Sequence, residues 1–165
     1  CTNASDQTTM EERLVSDMMK DCEATIGRLI DKQTTAFVSS VDLDGFPNTK
    51  AMLSPRKRIG IQIFYFTTNT SSMRAAQYRE NPKACIYFCD KRYFRGVMLI
   101  GTAEILEDTK SREMIWREGD TMYYPEGVTD PDYCVLKITV TKGRYYSNFH
   151  SETFAVPAVK PITPE

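Results

Sequence analysis

The sequence contains one histidine and one tryptophan among its 165 residues. Because His150 is the only imidazole, a metal site with several histidine ligands is excluded, and so is a Ser-His-Asp triad that uses a histidine elsewhere. Five cysteines are present, but none forms a C-x-x-C pair, so their spacing indicates neither a zinc knuckle nor a disulfide framework. We therefore expect no metal site and mostly buried thiols in a reducing compartment.

Neither sign of charge is in excess, and no long apolar run is present. Lys and Arg total 21 against 22 for Asp and Glu, so no general basic field collects nucleic acid and any anion must be bound locally. No segment approaches the roughly 18 apolar residues of a membrane span, and no signal-peptide core is visible. We expect a cytoplasmic protein without a nucleic-acid or membrane partner. Cys1 in first position is compatible with processing, a lipidated mature end or an artificial start, and we favour the artificial start.

The first half of the chain changes its hydrophobic period several times. Apolar residues recur at three- and four-residue steps over residues 14–29, after a capping-box spacing of Thr9 and Glu12, which predicts a helix to about residue 31. The segments TAFVSSVD and NTKAMLS, joined by the turn DLDGFP, predict a β-hairpin. RIGIQIFYFTT then predicts one long strand, and SSMRAAQYRENP predicts a short helix that ends at Pro82.

The second half predicts further strands around one helix and one loop. KACIYFCD and FRGVMLIGTAEIL are strand patterns, Asp108 is placed to cap a helix through Trp116, and MYYPEGVTDPD is a loop. YCVLKITVT and GRYYSNF predict two closing strands. The order indicates an α+β fold, mainly β and mostly antiparallel, built on a barrel or a strongly bent sheet. We expect a flexible N-terminus over 1–8, one domain over 9–150 and an extended tail over 151–165 that lies on a partner subunit.

The segment FYFTTNTSSMRAAQYRENP offers several donors to an anion at one junction. A strand end, a run of hydroxyl side chains and a helix start bring together free backbone N–H groups, the positive end of a helix dipole and O–H donors. Arg74 in the first helical turn would add a guanidinium, and a phosphate monoester fits this set best. The alternative is that Ser71 or Ser72 only caps the helix while Arg74 is a solvated surface charge. The segment alone leaves both open.

Two other positions bear on the choice. Lys50 is a lone cation in an otherwise uncharged strand, and alternation places it on the same face as Met52. Inside a barrel this ammonium would need a counter-anion, whereas at an exposed strand edge it would not. Gly96, after Arg95, opens an apolar strand, and a strand glycine often marks the close approach of a ligand or of another backbone.

Taken in order, these segments resemble the FMN-binding split-barrel superfamily of pyridoxamine 5′-phosphate oxidase. The resemblance covers Thr34 to about Asn148 and rests on DLDGFP, PNTK, FYFTT, SSMR and ENP. The later segment GTAEILED, followed by the single-tryptophan helix, an aromatic-P-x-G loop and DPD, is similar to the branch known as general stress protein 26. Each motif is loose, whereas the ordered set is specific.

The resemblance implies a dimeric split β-barrel with flavin mononucleotide (FMN) in two clefts at the homodimer interface. It places Lys50 where the family has a phosphate-binding arginine. The phosphate site is then completed by Thr68, Ser72, Arg74 and the backbone of Met73. The ribityl chain and ring would run beside Ala51, Met52, Leu53 and Thr67. Gly96 stands where the oxidases carry a glutamine that contacts the flavin.

The implied activity is that of a flavin-dependent oxidoreductase, which passes hydride or electrons between a reduced donor such as NAD(P)H and a small acceptor. The C-terminal sequence lacks the Trp- and Arg-containing motif of the true oxidases, which argues against pyridoxamine phosphate oxidation. Two alternatives remain: a non-catalytic flavin-binding stress protein that stores or senses the cofactor, and the same scaffold binding haem or a deazaflavin. No catalytic acid or base is identified. The candidates for contact with the substrate are His150, Tyr123, Tyr124 and Tyr146. Packing in the core or at an interface would also explain each of them, and Trp116 is expected to be structural.

Overall fold

The computed structural model describes residues 10–159, which form three α-helices and eight strands. The helices are α1 (Met10–Asp31), α2 (Met73–Glu80) and α3 (Thr109–Ile115). The strands are β1 (Thr35–Val41), β2 (Pro47–Leu53), β3 (Lys57–Ile59), β4 (Ile63–Asn69), β5 (Lys83–Asp90), β6 (Arg95–Leu106), β7 (Tyr133–Ser147) and β8 (His150–Ala155). Two short 3-10 helices, Glu118–Met122 and Gly127–Thr129, connect α3 to β7.

All strand pairs are antiparallel and form one sheet in the order β2-β1-β5-β6-β7-β4-β3, with β8 paired to β7. The predicted α+β class with a mostly antiparallel sheet is confirmed. Strand β2 stands at one end of this order, so one edge of its backbone is not used for pairing within the described chain. This position matters because β2 carries Lys50.

The core lies between the sheet and the C-terminal half of α1. Strand β1 alternates buried and partly exposed residues, as its sequence TAFVSSV predicts for a strand with one face on a core. Phe64 and Phe88 are fully buried with ring centroids 6.0 Å apart, and Ile26 and Ile30 of α1 are buried as well. Each such side chain contributes about 1.5–3 kcal/mol through burial, so this core holds the strands that frame the site.

Three segments differ from the sequence prediction. The long strand predicted over RIGIQIFYFTT is two antiparallel strands, β3 and β4, because the chain turns at Gly60, whose φ of +53° favours glycine. The two predicted closing strands are one 15-residue strand, β7. Finally, β8 lies in the segment expected to be an extended tail, and it pairs with β7.

The predicted hairpin, the helix ended before Pro82 and the cap at Asp108 are confirmed by β1 and β2, α2 and α3. Thr9 and the N-terminal segment 1–8 lie outside the described residues. Among the helices that are described, none has the length and apolar character needed to cross a membrane.

Candidate functional site

The junction between β4 and α2 is built as a helix N-cap. Ser72 has an extended backbone, and its Oγ accepts a 3.1 Å hydrogen bond from the backbone N–H of Ala75. Such a cap satisfies one of the free amides at the start of a helix. The cap therefore exists, but it uses only Ser72 and leaves the rest of the hydroxyl run to be explained.

Asp132, at the start of the chain segment that enters β7, fixes the turn before this helix. One carboxylate oxygen accepts from the Ser71 backbone N–H at 2.7 Å, and the other accepts from Asn69 Nδ2 at 2.7 Å. The Asp132 backbone carbonyl accepts from the Thr70 backbone N–H at 2.8 Å. The hydrogen bonds to the carboxylate, from the Asn69 side chain first and then from Ser71, hold the pKa of the Asp132 carboxyl below its ordinary value. The turn is thus held by a residue about sixty positions away.

Arg74 points inward rather than into solvent. Its Nη2 donates a 3.1 Å hydrogen bond to Thr68 Oγ1, and Thr68 is only 4% exposed. Its Nε is buried and has no hydrogen-bond partner among the described residues. A buried N–H of a charged group without a partner is costly. Arg95 and Arg112 also have such an Nε, so it is the contact of Arg74 with Thr68, together with this Nε, that favours a ligand oxygen here. It argues against Arg74 as a solvated surface charge.

A cleft of about 230 Å³ lies between β2, the end of β4 and α2. Lys50 and Arg74 both line this cleft, and both also line a neighbouring depression with Ser72 and Met73. None of the described residues that line the cleft is acidic, so its charge is positive. The cleft is lined by Lys50, Ala51, Met52, Leu53, Ser54, Arg56, Phe66, Thr67, Thr68, Asn69, Arg74, Tyr123 and Tyr124.

Two tyrosines, Tyr123 and Tyr124, also line the cleft, together with Arg56, which belongs to an ion pair. The Arg56 guanidinium pairs with the Asp120 carboxylate, and their side chains are 13% and 3% exposed. Behind Tyr124, the Tyr133 ring lies 4.8 Å away between centroids, and the Trp116 ring lies 5.2 Å from that of Tyr133. Burial raises the pKa of Tyr133 to about 12 and raises that of Tyr124 as well, so both phenols stay neutral at physiological pH.

The structure brings together most of the residues that the sequence suggested. Seven of them line the cleft, namely Lys50, Ala51, Met52, Leu53, Thr67, Thr68 and Arg74. Ser72 and Met73 adjoin it through the neighbouring depression. Of the substrate-side candidates, Tyr123 and Tyr124 line the cleft, whereas Trp116 packs behind it. His150 and Tyr146 belong to the β7–β8 hairpin and do not line it.

Gly96 lies apart from this cleft within one chain. It pairs with Cys89 of β5 and Tyr146 of β7, and the Tyr87 ring covers it so closely that a Cβ at position 96 would overlap the Tyr87 hydroxyl. The sequence predicted that a ligand or another backbone lies close to Gly96. Within one chain, the group that lies there is the Tyr87 side chain. Any contact between Gly96 and a ligand remains a prediction.

Sequence reasoning missed three polar residues of the site: Arg56, Asp120 and Asp132. The first two meet across 64 positions of sequence, and Asp132 reaches Ser71 across 61. No local pattern marks such pairs. The only available signal was the DPD segment, which contributed to the family resemblance. It gave no indication that Asp132 would hold the turn before α2.

The fold and the cleft define a class: an α+β protein with an antiparallel sheet and a basic, hydroxyl-rich cleft between its terminal strand β2 and a short helix. Within that class, residues 23–147 match the family model described as pyridoxamine 5′-phosphate oxidase. The chain belongs to the pyridoxamine 5′-phosphate oxidase family.

Solved structures and characterised relatives agree with this assignment. A protein from Clostridium acetobutylicum, related to general stress protein 26 of B. subtilis, is 37% identical with a TM-score of 0.76, and the match covers 83% of this chain and 96% of that one. General stress protein 26 from Bacillus anthracis has the same fold at 21% identity and a TM-score of 0.68, with coverage of 82% and 98%. A pyridoxine/pyridoxamine 5′-phosphate oxidase from Caulobacter vibrioides is 34% identical over 74 residues, which span 45% of this chain and 32% of that oxidase.

Proposed function

We propose that this protein binds FMN in the cleft between β2 and α2 and acts as a flavin-dependent oxidoreductase. The observation that carries the proposal is the convergence of Lys50, Thr68 and Arg74, with the buried Arg74 Nε lacking an acceptor. FMN ends in a phosphate monoester, whose oxygens match this donor set. Ser72 and the Met73 backbone would complete the phosphate site.

The strand β2 fits the remainder of the cofactor. Because one backbone edge of β2 is unpaired within the described chain, its N–H and C=O groups are available to the polar edge of a flavin ring. Ala51, Met52 and Leu53 of this strand line the cleft beyond Lys50, opposite Thr67 at the end of β4. These residues would hold the ribityl chain and the ring.

A homodimer would supply the missing wall. The cleft volume of about 230 Å³ is below the roughly 300–1,000 Å³ typical of ligand pockets. Leu53 and Tyr123 at its rim are 62% and 56% exposed, which leaves apolar surface for a second subunit to cover. We propose that the flavin lies at the interface of two copies and that Gly96 approaches it from the second copy.

A bound flavin would supply hydride or electron transfer between a donor such as NAD(P)H and a small acceptor. The chain itself would bind and orient the flavin. Arg74 and Lys50 fix the phosphate, Thr68 fixes Arg74, and Tyr124 stays protonated because burial raises its pKa. None of these roles requires a protein acid or base.

Comparison of FMN with riboflavin tests the proposal, because the two differ only in the phosphate. We expect FMN to bind at least as much more tightly as one hydrogen bond to a charged group implies, about 10- to 150-fold, in a flavin-fluorescence titration. Equal affinities would reject the phosphate site. In the FMN complex, anaerobic addition of NADPH or NADH should bleach the flavin absorbance, and oxygen or a quinone should restore it. Flavin that stays oxidised under saturating donor would favour the storage or sensing alternative.

A further inference from the structure

Lys50 and Arg74 line the cleft together with Leu53, Arg56 and Tyr123. We call the part of the cleft at Lys50 and Arg74 its first end, and the part at Leu53 and Arg56, further along the chain, its second end. Lys50 and Leu53 are three residues apart in a strand, which separates them by about 10 Å along β2. If the phosphate of FMN occupies the first end, the ring and the second substrate meet at the other. The present inference therefore rests on the proposed function.

Arg56 lines this second end, but its charge is already neutralised. Its guanidinium pairs with Asp120, whose other carboxylate oxygen accepts a 3.0 Å hydrogen bond from the Arg117 backbone N–H. The Asp120 carbonyl accepts from the backbone N–H groups of Tyr123 and Tyr124, at 2.9 Å each. The carboxylate is therefore held in place by its own 3-10 helix as well as by Arg56.

This arrangement opposes the binding of a second anion. The positive charge of Arg56 is already compensated by Asp120, so an anion that also contacts Arg56 gains little attraction; an anion that draws Arg56 away would leave the carboxylate, at 3% exposure, buried without a counter-charge. An uncompensated buried charge is among the costliest changes in a protein interior. Arg56 thus differs from Arg74, whose Nε has no acceptor among the residues that the structure describes.

The surfaces next to the ion pair suit a flat, uncharged molecule. Leu53 and Tyr123 are largely exposed at the rim of a single chain, where the second copy of the proposed dimer would enclose them together with a bound ring, and the buried Tyr124 forms part of the wall. Aromatic and aliphatic side chains of this kind pack against planar rings. No acidic or free cationic side chain among the described lining residues lies at this end to attract a charged substrate.

We propose that the Arg56–Asp120 pair sets the substrate specificity of the cleft: its second end takes an uncharged planar ring, of the quinone class, and rejects phosphate monoesters. Asp120 acts through Arg56 and is a specificity-determining positioning residue. Removing its charge should convert Arg56 into a free anion-binding group.

The test uses the FMN-loaded protein and two matched ligands, pyridoxine and pyridoxine 5′-phosphate, with menadione as the uncharged quinone. Affinities are measured by quenching of the bound flavin. For the wild type, we expect the phosphate to give no more than a twofold advantage over pyridoxine. In Asp120→Asn, whose side-chain oxygen can still accept from Arg117, we expect pyridoxine 5′-phosphate to bind at least tenfold more tightly than pyridoxine.

Two further variants separate charge from structure. Glu118→Gln removes an exposed carboxylate of the same 3-10 helix and should retain the wild-type ratio. Arg56→Gln combined with Asp120→Asn should abolish the gain. Tyr123→Ala, an exposed position that the fold tolerates, should weaken menadione binding about five- to tenfold.

The outcomes are distinguishable. If the wild type fails to bind FMN, the proposed function fails and this inference falls with it. If FMN binds normally but the wild type already prefers pyridoxine 5′-phosphate tenfold, only the specificity inference is overturned. The same holds if Asp120→Asn keeps FMN and a native circular dichroism spectrum without gaining phosphate affinity. Should Asp120→Asn not fold, the wild-type ligand comparison and Tyr123→Ala decide the matter.

Discussion

The carboxylate of Asp132 lies 2.7 Å from the backbone nitrogen of Ser71 and accepts its N–H. The turn that precedes α2 is thereby attached to the start of β7, and Arg74 in the next helical turn takes its direction from that attachment. The geometry of the proposed phosphate site thus depends on a residue that does not line the cleft.

Replacing Asp132 with Asn should loosen this turn. Asn presents only one acceptor oxygen and no charge, so at least one of the hydrogen bonds from Ser71 and Asn69 is lost or weakened. We expect the free energy of unfolding, measured by urea denaturation, to fall by about 1–2 kcal/mol, and FMN affinity to fall with it. Asp44→Asn, at an exposed position in the β1–β2 turn, is the matched control and should change neither. Equal free energies of unfolding for Asp132→Asn and Asp44→Asn would contradict the proposed role of Asp132 in holding the turn.

The same contact predicts a pH dependence. The pKa of Asp132 is lowered in the folded protein from an ordinary value of 3.8, so its stabilising contribution is fully present from about pH 5 upward. The contribution is lost as the pH falls through the lower, folded-state pKa. The difference in unfolding free energy between the wild type and Asp132→Asn, measured without flavin, should therefore be constant from pH 7 to about pH 5 and shrink below about pH 4. If this difference in unfolding free energy instead grew as the pH fell, the pKa of Asp132 would be raised rather than lowered by folding.

Truncation of Arg74 should affect the phosphate more than the ring. In Arg74→Ala we expect FMN binding to weaken by about 1.5–3 kcal/mol, or roughly 10- to 150-fold, while riboflavin affinity changes little. Arg74→Lys should lie in between, because an ammonium keeps the charge without the forked geometry. Arg79→Ala, on the same helix but exposed and bonded to Glu107, serves as the control. Parallel losses for FMN and riboflavin would point to general damage instead of a phosphate contact.

Two glycines of β6 should differ in their tolerance of a methyl group. A Cβ at Gly101 would overlap the backbone carbonyl of Thr139, next to the register shift in the β6–β7 pairing, and neither backbone can move freely. A Cβ at Gly96 would meet the hydroxyl end of the partly exposed Tyr87 side chain, which can rotate away. We expect Gly101→Ala to cost about 1–3 kcal/mol or more in urea unfolding and Gly96→Ala clearly less. The reverse order would show that Tyr87 is locked in place.

The parts of the fold that local sequence determines were predictable. The DLDGFP turn, the Ser72 cap and Asp108 each depend on neighbours within a few residues, so the hairpin, α2 and α3 followed from pattern alone. The β3–β4 turn was missed because the alternation of isoleucines continues straight through Gly60. Strand β8 was missed because HSETFA is exposed along most of its length and lacks a hydrophobic face.

The candidate site divides in the same way. A cation in an uncharged strand and a hydroxyl run before a helix drew attention to Lys50 and Arg74, but these local signals left both alternatives open, and the phosphate site with Thr68 was predicted from the family resemblance. Arg56 could not be predicted, since its role depends on Asp120, and the two meet only when the 3-10 helix after α3 reaches the connection between β2 and β3. A contact between two segments that are distant in sequence produces no recognisable pattern within either segment.

The pairing of β4 with β7, in which Thr68 lies opposite Cys134, has a kinetic consequence. The wall that carries Thr68 and Arg74 closes only after segments some sixty to seventy residues apart have met, and such non-local contacts form late because of the entropy of loop closure. A ligand that contacts Thr68 and Arg74 would therefore bind weakly to the folding transition state, in which this wall is not yet assembled. It would therefore act by slowing the unfolding of the finished protein rather than by accelerating its folding, and cofactor loss would be the step that opens the chain to degradation.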